Sequence, residues 1–159
     1  MSFMSASTKL SNSVKALCFL AQSAPDPRNS TEISNHTGVN ASKLRKLLSE
    51  LAKHDIIKTI QGASGGFTLA KAPYEIDLQE IYCALEDRKA FYLDITENPE
   101  REMVQSSLVN LFFLDLFSEI QVEIEDKMKK ITLSQILDQI AEKNYAEKSR
   151  CSRADAEIK

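Results

Sequence analysis

The chain contains no tryptophan, and only four glycines and four prolines are spread over its 159 residues. So few turn-forming residues argue against a many-stranded sheet, which needs a turn signal about every 8–12 residues. Its three cysteines, Cys18, Cys83 and Cys151, lie far apart with no CxxC pair, and the two histidines are His36 and His54. An odd number of scattered thiols supplies neither a disulfide framework nor a zinc site, so no metal site is expected. No apolar run approaches the roughly 20 residues needed to cross a bilayer. The amino-terminal MSFMSASTK lacks the apolar centre of a signal peptide. The expectation is a cytoplasmic protein with no membrane partner. Catalytic signatures are missing as well: there is no GxSxG elbow, no HExxH zinc motif and no P-loop. The carboxylates read as solvated groups on helical faces, so no catalytic residues are assigned and an enzyme is not expected.

What is present is helix punctuation. Asn29 with Glu32 forms a capping-box pattern, as do Asp77 with Glu80 and Thr132 with Gln135. Ile76 with Ile81, and Ile131 with Ile136, stand at staple positions around the last two. Asn40 lacks the box partner but has Val39 and Leu44 as a staple. Helices are therefore predicted to start near residues 29, 40, 77 and 132. An earlier helix, over about 8–22, carries Leu10, Val14, Leu17, Cys18 and Ala21 on one face and ends at SAPDPRN. The short helix over 30–36 stops at Gly38, a residue suited to a left-handed cap.

The next helix, over 41–53, places Leu44, Leu47, Leu48 and Leu51 at i, i+3, i+4 and i+7. After it IIKTI and FTLAK, joined by QGASGG, read as a two-stranded hairpin. The order helix, helix, turn, helix, hairpin is the winged helix-turn-helix plan. Opposite the leucines stand Ser42, Arg45, Lys46 and Ser49, within a third of the helix circumference. Cationic and hydroxyl side chains on the outer face of a third helix suit a major groove, where Arg and Lys donate to guanine and Ser contacts bases or phosphates. In the hairpin, Lys58 suits the phosphate field. The glycines around Ser64 let backbone N–H groups approach phosphates, and Gln61 suits a minor-groove edge.

From about Glu100 to Lys129 a long helix is predicted, with Val109, Phe113, Leu116, Ile120 and Ile124 in one apolar stripe and Leu108, Leu111 and Phe112 in another. One small domain cannot cover both, so a homodimer is expected, with Val109, Phe112, Phe113, Leu116, Ile120 and Ile124 at its interface. Charge divides along the chain: residues 1–80 carry nine Lys/Arg against seven Asp/Glu, and residues 81–159 eleven against sixteen. A mildly basic front and an acidic back fit a DNA-reading part joined to one that does not touch DNA. The domains expected are a winged helix-turn-helix over 7–90, dimerisation helices over 91–142, and a polar, disordered tail over 143–159. Cys18 and Cys83 fall on apolar helix faces and read as small buried hydrophobes rather than sensing thiols.

Two long segments, TEISNHTGVNASKLRKLLSELAKHDIIKTIQGASGGFTLAKAPYEIDLQEIYCALE and ITLSQILDQI, carry a specific likeness. The chain resembles the Rrf2 family of bacterial winged-helix transcription regulators over about residues 7–142. The resemblance implies a mainly α fold: a winged helix-turn-helix with a two-stranded wing and a long C-terminal dimerisation helix. It implies an intertwined homodimer bound to a near-palindromic double-stranded DNA operator, acting as a repressor. Its recognition-helix contacts fall on Ser42, Arg45 and Lys46, and Ser7-Thr8-Lys9 is similar to the family's phosphate-contacting start, which places Thr8 and Lys9 in the interface. A wing position that often holds Arg is Gln61 here. Iron–sulfur members carry three cysteines before and into the long helix. Here DRKAFYLDITENPEREMVQSS contains none, although thiolates are the ligands such a cluster needs. The expectation is no cofactor and a place in the cluster-free, YwnA-like branch, with a small-molecule or protein effector unidentified. Two other readings stay open: a winged-helix protein-interaction module that has lost DNA affinity, and a small-ligand sensor without a cluster.

Overall fold

A computed structural model of the chain describes residues 5–86 and 104–156. Its helices are α1 (Ser5–Ser23), α2 (Ser30–Thr37), α3 (Ala41–Lys53), α4 (Leu78–Leu85), α5 (Val104–Lys129) and α6 (Leu133–Ala156). Strands β1 (Ile57–Ile60) and β2 (Gly66–Leu69) lie between α3 and α4. They pair antiparallel, Ile57 opposite Leu69 and Ile60 opposite Gly66. This is the mainly helical winged helix-turn-helix expected from the sequence, with its two-stranded wing. Residues 100–103, predicted to open the long helix, lie outside the described residues.

Each predicted start is capped by its own side chain. Asn29 Oδ1 accepts from the N–H groups of Thr31 and Glu32, while Glu32 accepts from Asn29 N at 2.8 Å. Asn40 Oδ1 accepts from Ser42 N and Lys43 N, and Asp77 from Glu80 N at 2.8 Å. Thr132 and Gln135 exchange the same pair of bonds at the start of α6. A helix's first N–H groups have no partner inside it, and each such cap contributes about 1 kcal/mol.

The core gathers one face of α1 to α4, the wing and the start of α6, with no residue of α5 among its members. Leu17, Leu20, Ile33, Leu44, Leu48, Leu51, Ile56, Ile57, Ile76, Ile81 and Leu133 are buried to 2% exposure or less. Burying each such side chain contributes roughly 1.5–3 kcal/mol against leaving it in water. Leu133 belongs to the start of α6, so this core draws in chain from beyond α5. Its position is locked by a backbone bridge between the two caps: Leu78 N donates to Ile131 O at 2.9 Å and Leu133 N to Ile76 O at 2.8 Å.

α6 continues to Ala156, into the polar segment over 143–159 that the sequence reading expects to be disordered. After Pro99 the chain has neither glycine nor proline, and Ala, Glu, Lys and Arg dominate its end. Such residues keep a helix going without a buried face. Cys83 is exposed rather than buried, while Cys18 lies in the core as expected.

Candidate nucleic-acid interface

The geometry of α3 begins at the turn before it. Gly38 takes a left-handed conformation at φ 69° and its N–H donates to Ser34 O at 2.9 Å, closing α2. Ser34 Oγ reaches Val39 O at 2.7 Å, and Val39 is buried, so α3 restarts at a fixed angle after three residues. At its far end Asp55 sits at φ 56°, with Ile56 N donating to Leu51 O at 3.0 Å. A left-handed residue after a helix reverses the chain, and Asp tolerates that conformation better than most side chains. The reversal sends Ile56 and Ile57 into the core and starts the wing directly from α3.

Four leucines anchor α3: Leu44, Leu48 and Leu51 at 0% and Leu47 at 8% exposure. Ser42, Arg45, Lys46 and Ser49 are all exposed on the other side. Among the described residues Arg45 and Lys46 have no ion-pair partner, and neither does Lys43, a third exposed cation that the motif reading passed over. The one carboxylate of the helix, Glu50, is engaged by Lys53 Nζ at 2.8 Å near the end. The outer face is therefore positive and free to meet phosphate or base.

In the wing, Lys58 projects from β1 opposite Thr68, and Gln61 and Ser64 are exposed in the loop, which Gly65 N closes onto Gly62 O at 3.0 Å. A feature absent from the sequence reading holds the wing's root. Arg28 forms a third, one-residue strand beside β2, with Arg28 N to Phe67 O at 3.0 Å and Phe67 N to Arg28 O at 2.8 Å. A Cβ on Gly66 would meet the Arg28 carbonyl at 2.5 Å, so only glycine permits this approach. The Arg28 guanidinium then lies 6.0 Å over the Phe19 ring, whose centroid is 4.1 Å from that of His36.

The amino-terminal pair is less available. Thr8 is exposed, but Lys9 Nζ stands 3.3 Å from the Glu86 carboxylate at the end of α4. At the other end of α4, Lys71 pairs with Glu80, and that hydrogen bond raises the lysine's pKa.

On α5, Val109 and Phe112 are 50% and 63% exposed and Phe113 is 39% exposed, while Leu116, Ile120 and Ile124 are half-buried. Leu108 and Leu111, at 61% and 56%, extend the bare apolar surface. Contiguous apolar patches of this kind mark contact surfaces in folded proteins.

Against known proteins, the family described as "Rrf2: Iron-dependent Transcriptional regulator" matches residues 6–139. A protein described as an HTH-type transcriptional regulator, YwgB of Bacillus subtilis, is 30% identical over 117 residues, covering 71% of this chain and 70% of YwgB. Another, slr0846 of Synechocystis, is 38% identical over 86 residues, 53% of this chain and 58% of its own length. The solved structure of T. potens IscR superposes with a TM-score of 0.62 at 26% identity, covering 84% of this chain and 85% of that one.

The iron in the family's description asks for a donor set. Among the described residues no three His, Cys, Asp or Glu side chains gather as a metal-binding group. Cys18 is enclosed in the core and Cys83 stands alone on α4, and residues 84–150 contain no cysteine. A thiolate-held cluster draws its ligands from clustered cysteines. The donor set of this chain does not fit one.

Proposed function

The chain belongs to the Rrf2 family of DNA-binding transcription regulators, and on that premise we propose that it binds a near-palindromic operator as a homodimer and represses from it. It is a regulator and not an enzyme, as are its relatives. α3 enters the major groove and the wing loop lies along the neighbouring backbone or minor groove. The observation that carries this reading is the two-sidedness of α3: four buried leucines on one face, and Ser42, Arg45, Lys46 and Ser49 exposed on the other without a competing carboxylate. A recognition helix needs both faces, one to fix its position and one to read.

Homodimerisation rests on the bare apolar side of α5, where Val109, Phe112 and Phe113 await a partner surface and Leu116, Ile120 and Ile124 continue the stripe. Two-fold pairing of two α3 helices sets half-sites about one helical turn, some 34 Å, apart. A dimer lying across an operator blocks access to the promoter, and repression is assigned on that ground. The working place of such a protein is the cytoplasm. Among the described residues no helix is long and apolar enough to cross a membrane.

The test is footprinting on the promoter of the protein's own gene and its neighbours, followed by affinity for the protected duplex and a scrambled one across a salt series. Phosphate contacts make affinity fall with salt on both duplexes, and base contacts separate the two. Equal, salt-insensitive affinity for both overturns the reading and favours the protein-interaction module.

A further inference from the structure

Between the end of α1 and the outer face of the wing lies a cavity of about 510 Å³. That volume falls within the range of small-molecule sites, about 300–1,000 Å³. Its walls are mostly apolar: Ala21 from α1, Pro25 and Pro27 from the loop to α2, and Ile60 and Leu69 from the strands. The proline nitrogens carry no N–H, so the loop side offers a bound molecule few donors. The charged residues on the lining are Lys58 and Lys71, and no carboxylate is among them.

The two lysines are not equivalent. Lys71 is held by Glu80, and its charge is already matched. Lys58 is exposed and has no ion-pair partner among the described residues. Successive side chains of a strand alternate between faces, so Lys58 and Ile60 share one face of β1. Ile60 is 38% exposed there, an apolar surface beside an unmatched ammonium. The walls are tied together before any ligand arrives, because the Arg28–Phe67 backbone bridge fastens the loop to β2. A preformed apolar cleft with one free cation selects an anion with an apolar body.

We propose that this cavity binds a small organic monocarboxylate, its apolar part against Ala21, Pro25 and Ile60 and its carboxylate on the Lys58 ammonium. A regulatory consequence rests on the reading of Lys58 as a phosphate contact: ligand and DNA compete for the same ammonium, so each lowers the affinity of the other. Ligand binding itself is independent of that reading.

The experiment is an amide and methyl chemical-shift titration of the full chain, without DNA, using octanoate, octanol and inorganic phosphate as separate probes. The expected result is a saturable response to octanoate centred on Ala21, Ala24, Ile60 and Ala72. Octanol should bind about five- to tenfold more weakly, the size of one charge-assisted contact. Lys58→Gln should weaken octanoate to the level of octanol, and Ala24→Phe, which fills the mouth from an exposed loop position, should abolish the response to both. Octanol binding as tightly as octanoate overturns the assignment of the carboxylate to Lys58. Phosphate matching octanoate makes the site a piece of the DNA-backbone contact and overturns the proposal, as does an octanoate response centred elsewhere. A second titration with operator present then reads the competition. Octanoate that binds yet leaves operator affinity unchanged removes the regulatory consequence and leaves the site standing.

Discussion

Lys9 on α1 and Glu86 at the end of α4 form an ion pair at 3.3 Å, tying a residue expected to touch phosphate to the last described residue before position 104. The lysine is 47% exposed and the carboxylate 17%, so solvent screens the pair from the lysine side. On the reading of Lys9 as a phosphate contact, the pair bears on DNA binding. Glu86→Gln should free the ammonium, raise affinity for operator and random duplex alike, and steepen the log–log salt slope by about 0.9, the increment of one phosphate contact. The same change in a Lys9→Gln background should do nothing. An unaltered slope in Glu86→Gln would remove Lys9 from the interface.

Arg45 and Lys46 should separate by what they read. A guanidinium can bond a guanine at two points, worth about 1–3 kcal/mol of discrimination, whereas an ammonium acts as a point charge. Arg45→Ala should therefore relax specificity. Lys46→Ala should lower affinity on every sequence and make the salt slope shallower. Operator and random duplex at two salt concentrations distinguish the two, with circular dichroism confirming the fold. Parental binding by both variants would show that α3 is not the reader.

Phe112 is 63% exposed on α5, so on the proposed dimer a charge there should disturb the subunit contact more than the fold of the chain. Phe112→Glu should shift sedimentation from dimer to monomer at micromolar concentration and lower operator affinity steeply. A parent protein that sediments as a folded monomer contradicts the dimer outright.

Gly66→Ala should cost about 1–3 kcal/mol in chemical denaturation, because its methyl group meets the Arg28 backbone and the neighbours can only be pushed apart. Ser64→Ala, on the exposed loop of the same hairpin, should stay within about 0.5 kcal/mol of the parent. Equal stability of the two variants would mean that the Arg28–Phe67 bridge does not form in solution.

Cys83 should alkylate slowly at neutral pH although it is exposed. Partial burial of the thiol raises its pKa, and the Glu125 and Asp77 carboxylates add to the effect while Lys129 opposes it. A raised pKa leaves less thiolate, the reactive form, so the rate should keep climbing at pH values above those where an ordinary thiol levels off. Cys18, inside the core, should react only on unfolding. Cys83 reacting faster than free cysteine at neutral pH would contradict this.

Local signals account for what was legible in the sequence. The caps at Asn29, Asn40, Asp77 and Thr132 are contacts between residues two or three apart, and the leucine spacing of α3 is a property of one helix, so both could be read directly. The outer face of α3 followed from the same periodicity. The hidden features join distant segments: Arg28 to Phe67, Lys9 to Glu86, and the cap of α4 to that of α6. Backbone pairing leaves no mark on side-chain pattern, and an ion pair across 77 positions has no spacing rule. The one trace of the wing's third strand was a third glycine, at 66, which the hairpin turn alone does not require. The length of α6, to Ala156, rests on residues that are good helix formers and gives no apolar periodicity to read.

The bridge between the caps of α4 and α6 places Leu133 at 0% exposure among side chains from α1 to α4. The start of α6 thus closes the same core that α1 to α4 build, although α5 stands between them in the chain. A fragment cut at residue 90, where the sequence suggests a boundary, would lack the hydrophobic plug at its base and expose Ile76 and Ile81 to water. The winged-helix unit therefore cannot be excised as a continuous piece of chain, because the leucine that closes its core comes from α6.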